Sequence, residues 1–233
     1  MAIYGISDLH LSFSTNKSME IFGEEWNNYE ENLKKNLNRK IKDDDTVIIA
    51  GDISWAIKIE DAYEDFKFIN DLPGEKIILK GNHDYYFSTK SKIEKYLKEN
   101  KLDKIKILHN NSYYKEGYII CGTRGWGNVD NLQENVDIDK IYSREALRLE
   151  LSIKDGISKY GEDKKIIVAT HFPPFNKEMQ EVLQKYKKNI HVCIYGHLHG
   201  FGHSQIKVGE INGINYEMVS IDYTKCNAIN LTE

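Results

Sequence analysis

The 233-residue sequence is poor in residues that break or staple a fold: it has 3 prolines and 3 cysteines. Three thiols cannot complete a disulfide framework, and Cys121, Cys193 and Cys226 lie far apart in apolar, strand-like runs. They read as reduced core cysteines of a cytoplasmic protein, which argues against disulfide and zinc-thiolate scaffolds. Long apolar runs are also missing. Val47-Ile48-Ile49-Ala50 is typical, far short of the roughly 20 residues needed to cross a bilayer, so no membrane association is expected. No basic and apolar leader precedes Ser7-Asp8-Leu9-His10, so no export signal is expected. Basic excess is lacking: the formal net charge is -4, which argues against an extended nucleic-acid footprint. Arginine is scarce, limited to Arg39, Arg124, Arg144 and Arg148. No Gly-x4-Gly-Lys-Ser/Thr loop is present, nor a Gly-x-Ser-x-Gly or Cys-x5-Arg nucleophile pattern. NTPase and covalent serine or cysteine chemistries therefore lose their usual signatures.

What is present suits one globular domain over residues 1–233, with 40% hydrophobic and 29% charged residues. Short Ile- and Val-rich runs alternate with helical periods, the pattern of an α/β fold. Strands are expected at Ile3 to Ser7, Thr46 to Ala50, Lys76 to Leu79, Ile105 to Leu108, Tyr118 to Cys121, Ile166 to Thr170 and His191 to Tyr195. Apolar residues at helical spacing predict helices through Trp26 to Ile41, Ile59 to Ile69 and Ala146 to Tyr160. Ser91 and Glu94 have capping-box spacing. Asn212-Gly213, between Ile206 to Val208 and Tyr216 to Ile221, signals a β-hairpin. The stretch from His109 to Ser143 is irregular and reads as an insertion near the site.

The ionisable residues follow these strands. Asp8 and His10 come after the first, Asp52 after the second, and Asn82, His83 and Asp84 after the third. His171 follows a later strand, and His197 and His199 follow the last of the series. Ligands of α/β sheets bind beyond the carboxyl ends of strands, so five distant segments can meet on one rim. Each segment alone has an ordinary structural explanation, such as a capping turn for Asp8 or a loop for Asn82 to Asp84. Their joint occurrence, in order and at strand ends, points to a metal site.

These blocks resemble the calcineurin-like metallophosphoesterases, whose pattern is D-x-H, G-D, G-N-H-D/E, H and G-H-x-H; all five occur between Asp8 and His199. The resemblance implies a four-layer αββα sandwich of mixed sheets. It implies that Asp8, His10, Asp52 and His199 hold one metal and that Asp52, Asn82, His171 and His197 hold a second. It further implies that His83 contacts the phosphate or leaving group while Asp84 orients its ring. Protein Ser/Thr phosphatases of the superfamily carry an arginine soon after the second block, whereas here the run is Gly51-Asp52-Ile53-Ser54-Trp55-Ala56. The nuclease branch usually has a longer chain with an added cap. The cyclic-nucleotide phosphodiesterase branch shares the plain pattern.

Such donors suit two divalent ions among Mn, Fe, Zn, Co and Ni. Ions sharing one carboxylate would stand about 3.5 to 4 Å apart and activate a bridging hydroxide as nucleophile. The expected activity is hydrolysis of a small phosphodiester or phosphomonoester, nucleotides among the candidates. The alternatives are a cyclic-nucleotide phosphodiesterase, a nuclease-type member, or a non-catalytic scaffold. Arg124, in a glycine-flanked loop, is a candidate for a second phosphate or the leaving group, and Trp55 for stacking on a base. Arg144 and Arg148 read as a solvated helix face, His203 as a surface residue, and His109 and His191 as structural.

Overall fold

The computed structural model describes residues 1–15, 17–127 and 137–232. In chain order its elements are β1 (Ile3–Ile6), α1 (Tyr29–Lys40), β2 (Thr46–Ile49), α2 (Tyr63–Asp71), β3 (Glu75–Ile78), α3 (Lys90–Glu99), β4 (Ile105–Ile107), β5 (Tyr113–Lys115) and β6 (Tyr118–Thr123). They continue with α4 (Ile138–Tyr160), β7 (Lys165–Thr170), α5 (Lys177–Tyr186), β8 (Ile190–Tyr195), β9 (Gly209–Ile211), β10 (Ile214–Met218), α6 (Ile221–Thr224) and β11 (Ile229–Asn230).

The strands form two sheets, ordered β11-β1-β2-β3-β4 and β5-β6-β7-β8-β10-β9. The interior strands run parallel, and β11, β5 and β9 pair antiparallel at the edges. Parallel strands bury both faces, which is why they read as continuous apolar runs. Ile3, Ile48 and Ile77 of the first sheet share a buried cluster with Ile120, Ile167 and Val192 of the second, so the sheets pack face to face. The outer face of the first sheet meets Leu33 of α1, Phe66 of α2 and Ile93 of α3. The outer face of the second meets Leu149 and Ile153 of α4 and Met179 and Leu183 of α5. The result is an α/β fold of four layers, αββα. No helix among the described residues is long and apolar enough to cross a membrane.

Several local expectations change. The segment from 109 to 143 is not an appendage where it is described: β5 and β6 lie within it, and β6 pairs with β7 over six residues. Residues 128–136 of that segment lie outside the described residues. Helix α3 is capped by Thr89, whose side chain accepts from the Lys92 amide, and Ser91 lies inside the helix. The Asn212-Gly213 turn does join two antiparallel strands, Ile214 facing Ile211, with φ of 54° and 80° as its tight turn requires. Those strands are β9 and β10, however, and β10 then runs parallel to β8. The chain finally returns to the first sheet as β11.

Candidate metal centre

Parallel strands send their outgoing turns to one rim, and β1, β2, β3, β7 and β8 deliver the five polar blocks there. Backbone hydrogen bonds tie the blocks together. The Asp8 amide donates to the Gly51 carbonyl and the His10 amide to the Asp52 carbonyl, both at 2.9 Å. The His83 amide donates to Asp52 Oδ1 at 2.7 Å and the His197 amide to Asp8 Oδ2 at 3.0 Å. Four of these residues are held in the left-handed region: Asp8 (φ 60°), His10 (45°), Asp52 (51°) and His197 (74°). Each such conformation costs about 1–3 kcal/mol and persists only where the surroundings impose it. Gly81 and Gly196 are required by close approach, since a Cβ at either would overlap the Asp52 or Asp8 carboxylate.

Two groups of donor atoms result, Asp8–His10–His199 and Asp52–His171–His197, and each could hold a metal ion. In the first, His199 Nε2 is 3.3 Å from Asp8 Oδ1 and 3.4 Å from His10 Nε2. In the second, His171 Nε2 is 3.4 Å from Asp52 Oδ2. Donors about 2.0–2.1 Å from a tetrahedral ion stand about 3.4 Å from one another, so these gaps have the edge length of a coordination shell. Asp52 Oδ2 is also 3.8 Å from His10 Nε2, which places this carboxylate between the groups. Asn82 Oδ1 lies 2.6 Å from His171 Nε2 and so borders the second group.

Charge is concentrated here in buried surroundings. Burial acts to raise the Asp8 carboxyl, but His199, His171 and His10 outweigh it and hold Asp8 well below the usual range. Burial likewise opposes His171 and His10 at Asp52, which ends at about 2. Burial works to lower His171 and His199, yet Asp52 and Asp8 lift His171 to about 9, and Asp8 and Asp222 lift His199 to about 10. Burial brings His10 and His197 down to about 4. Two ionised carboxylates with no arginine or lysine paired to them among the described residues draw positive charge into the site, which is the environment a divalent ion satisfies.

The remaining expected residues are placed differently from one another. Asp84 does not orient the His83 ring. Its two oxygens accept the amides of Gly81 (2.7 Å), Ile53 (2.8 Å), Asp52 (3.0 Å) and Ser54 (3.2 Å), clamping the turn after β2 to the turn after β3. The His83 ring instead has Tyr85 Oη 3.3 Å from Nδ1, and burial lowers its pKa. Trp55 is buried and engaged, stacked on His10 at 4.9 Å with the Lys17 ammonium 3.1 Å from its ring centre, so it packs the site and offers no free face for a base. Its edge, with Met19, Phe22, Trp26 and Phe201, lines a mainly apolar pocket of about 370 Å³ beside His83, His10 and His199. The Arg124 guanidinium lies over Trp126, 4.4 Å from the ring centre, and borders a separate cavity.

The structure adds residues outside every motif. Asp222, in α6, places Oδ1 3.0 Å from His199 Nδ1 and Oδ2 3.0 Å from His203 Nε2, so His203 stands beside the site. Ser220 Oγ donates to Asp222 at 2.7 Å, and Ser7 Oγ donates to Asp8. Trp26 packs 5.8 Å from His10 and 5.6 Å from His199 between ring centres. No sequence spacing announces Asp222; only the pairing of β10 with β8 brings it behind His199.

The solved structures similar to this chain include the following three. TT1561 of Thermus thermophilus is 13% identical with a TM-score of 0.60, over 98% of this chain and 96% of that one. The phosphopantetheinyl hydrolase PptH of Mycobacterium tuberculosis is 14% identical with a TM-score of 0.52, over 94% and 88%. AQ665 of Aquifex aeolicus, described as a protein of unknown function, is 19% identical with a TM-score of 0.51, over 98% and 95%. At such identities the likeness shows the fold alone. No curated protein matches the sequence. The calcineurin-like phosphoesterase family matches residues 1–201, which carry both donor groups, and the chain belongs to that family.

Proposed function

We propose that this chain is a phosphoesterase that holds two divalent ions and hydrolyses small phosphodiesters or phosphomonoesters. The observation that carries this reading is the position of Asp52, its Oδ2 3.4 Å from His171 and 3.8 Å from His10, facing both donor groups. Asp8, His10 and His199 would hold one ion, Asn82, His171 and His197 would hold the other, and Asp52, facing both groups, would serve both. Carboxylate, imidazole and amide donors without thiolate fit Mn, Fe, Zn, Co or Ni. Bound there, the ions supply positive charge for the phosphoryl oxygens and a water acidic enough to attack near neutral pH.

The protein's own groups do the rest. Asn82 completes its donor set without adding negative charge, which leaves the site attractive to an anion. His83 belongs to neither donor group and lines the apolar pocket, which supports a role in giving a proton to a departing oxygen. Burial lowers its pKa in the free protein, and an arriving phosphoryl anion favours its protonated form. The pocket beside it suits an apolar or aromatic leaving group.

The test is steady-state hydrolysis of bis-p-nitrophenyl phosphate, p-nitrophenyl phosphate, cyclic nucleotides, a phosphopantetheinyl compound and a phosphopeptide, with each metal in turn. Metal-dependent turnover of the small esters, with the phosphopeptide poorest, is expected. Turnover that ignores metal, or a phosphopeptide with the largest kcat/KM, would contradict the proposal.

A further inference from the structure

Three of the four arginines in the chain, Arg124, Arg144 and Arg148, meet in one cavity of about 340 Å³, together with Lys80 and His109. The elements that deliver them are independent. Lys80 leaves β3, His109 leaves β4, Arg124 leaves β6, and Arg144 and Arg148 project from one face of α4. The two helix arginines are partly solvated, as expected, and also line a cavity on the same rim as the donor groups.

Glu145 is the carboxylate that lines it. It is buried, accepts from Thr123 Oγ1 at 3.0 Å and from Arg148 at 2.6 Å, and has Arg144 Nε at 3.5 Å. Lys80 donates to the Phe87 carbonyl at 3.0 Å, and Arg124 rests on Trp126; neither forms an ion pair with another described residue. Four cations against one carboxylate leave three formal positive charges facing a concave space. Like charges brought together in this way call for an anion, and guanidinium forks match the oxygens of a phosphoryl group. The space is concave and partly open, which suits a discrete phosphoryl group better than a nucleic-acid backbone.

The cavity and the donor groups share backbone. Lys80 immediately precedes Gly81-Asn82, and the Arg124 carbonyl accepts the amides of His171 (3.1 Å) and Phe172 (2.9 Å). The apolar pocket is lined by His83, which follows β3, and otherwise by residues that follow β1, β2 and β8, whereas the cationic cavity lies beyond β3, β4 and β6 and against α4. The two flank the donor groups on different sides.

We infer that the cavity is a second phosphoryl site, and that the substrate is a phosphodiester whose retained arm carries a further phosphate. This rests on the phosphoesterase reading above. The leaving arm occupies the apolar pocket, and the retained arm reaches the arginines.

The test uses p-nitrophenyl phosphodiesters of alkanediols with two to six carbons, each made with a terminal phosphate or a terminal hydroxyl. With metal-loaded protein, the phosphate-ended compound of matching length should have kcat/KM at least about tenfold higher, mostly through KM, as charged hydrogen bonds of this kind confer. Arg124→Gln and Arg144→Gln should each bring that ratio toward one, and Arg144→Lys should restore part of it. The Arg144 side chain is 51% exposed, so its replacement leaves the core untouched. In parallel, inorganic phosphate is titrated calorimetrically into the metal-free full chain, where the two glutamine variants should weaken binding about tenfold or more. A ratio near one at every length overturns the inference. Phosphate binding that depends on the arginines without any kinetic preference also overturns it, assigning the cavity to free phosphate. If neither ester series is hydrolysed, the phosphoesterase reading itself fails.

Discussion

The two donor groups on the rim are close in composition and unlike in support. Behind His199, Nδ1 meets the Asp222 carboxylate at 3.0 Å, while behind His171, Nδ1 has the Ala50 carbonyl at 3.1 Å and the Asp8 carboxylate no nearer than 3.9 Å. Carboxylate backing makes an imidazole a stronger donor and fixes its ring, whereas a carbonyl mainly fixes the ring. The second group also borders the neutral Asn82. On the proposed reading, the first group would hold a cation more tightly and the second would leave one with more residual positive charge, a division suited to an anionic substrate.

Asp52→Asn puts the most at stake, because Asp52 faces both groups. Both ions should bind more weakly and kcat should fall by at least about 10³, since several kcal/mol of charge stabilisation depend on them. Metal analysis of the variant would break the comparison if only one group were affected. His83→Ala should keep both ions and lose on the order of 10² to 10⁴ in rate. The loss should shrink for p-nitrophenolate, which leaves without a proton, and metal loss in this variant would make His83 a ligand. Asp222→Asn should weaken the ion at the first group by about 10 to 100-fold and leave the second nearly unchanged. Equal weakening at both would show that the carboxylate behind His199 does not distinguish them.

The parts of this arrangement legible in the sequence are those written locally. A polar residue directly after an Ile- and Val-rich run, with glycine beside it, encodes a strand end, and parallel topology carries five such ends to one rim. Asp84 shows where locality stops. It adjoins His83 in sequence, yet its oxygens point back to four amides, because the turn after β2 needs acceptors more than the neighbouring ring does. Asp222, Arg144 and Arg148 are not legible as site residues, since their neighbours come from other strands and helices, whereas the glycine-flanked loop of Arg124 does mark that residue as a candidate. The stretch from 109 to 143 looked irregular because β5 is only three residues long and sits at a sheet edge, too short for a period to register. The same brevity hid β11, with two residues.

Elemental analysis of the full chain saturated with manganese and freed of excess, run beside Asp52→Asn, bears most directly on the shared carboxylate. Two ions per chain are expected for the native protein, with both occupancies reduced together in the variant. One ion per chain at saturation, or a variant that retains one ion at full occupancy, would contradict a centre built around Asp52.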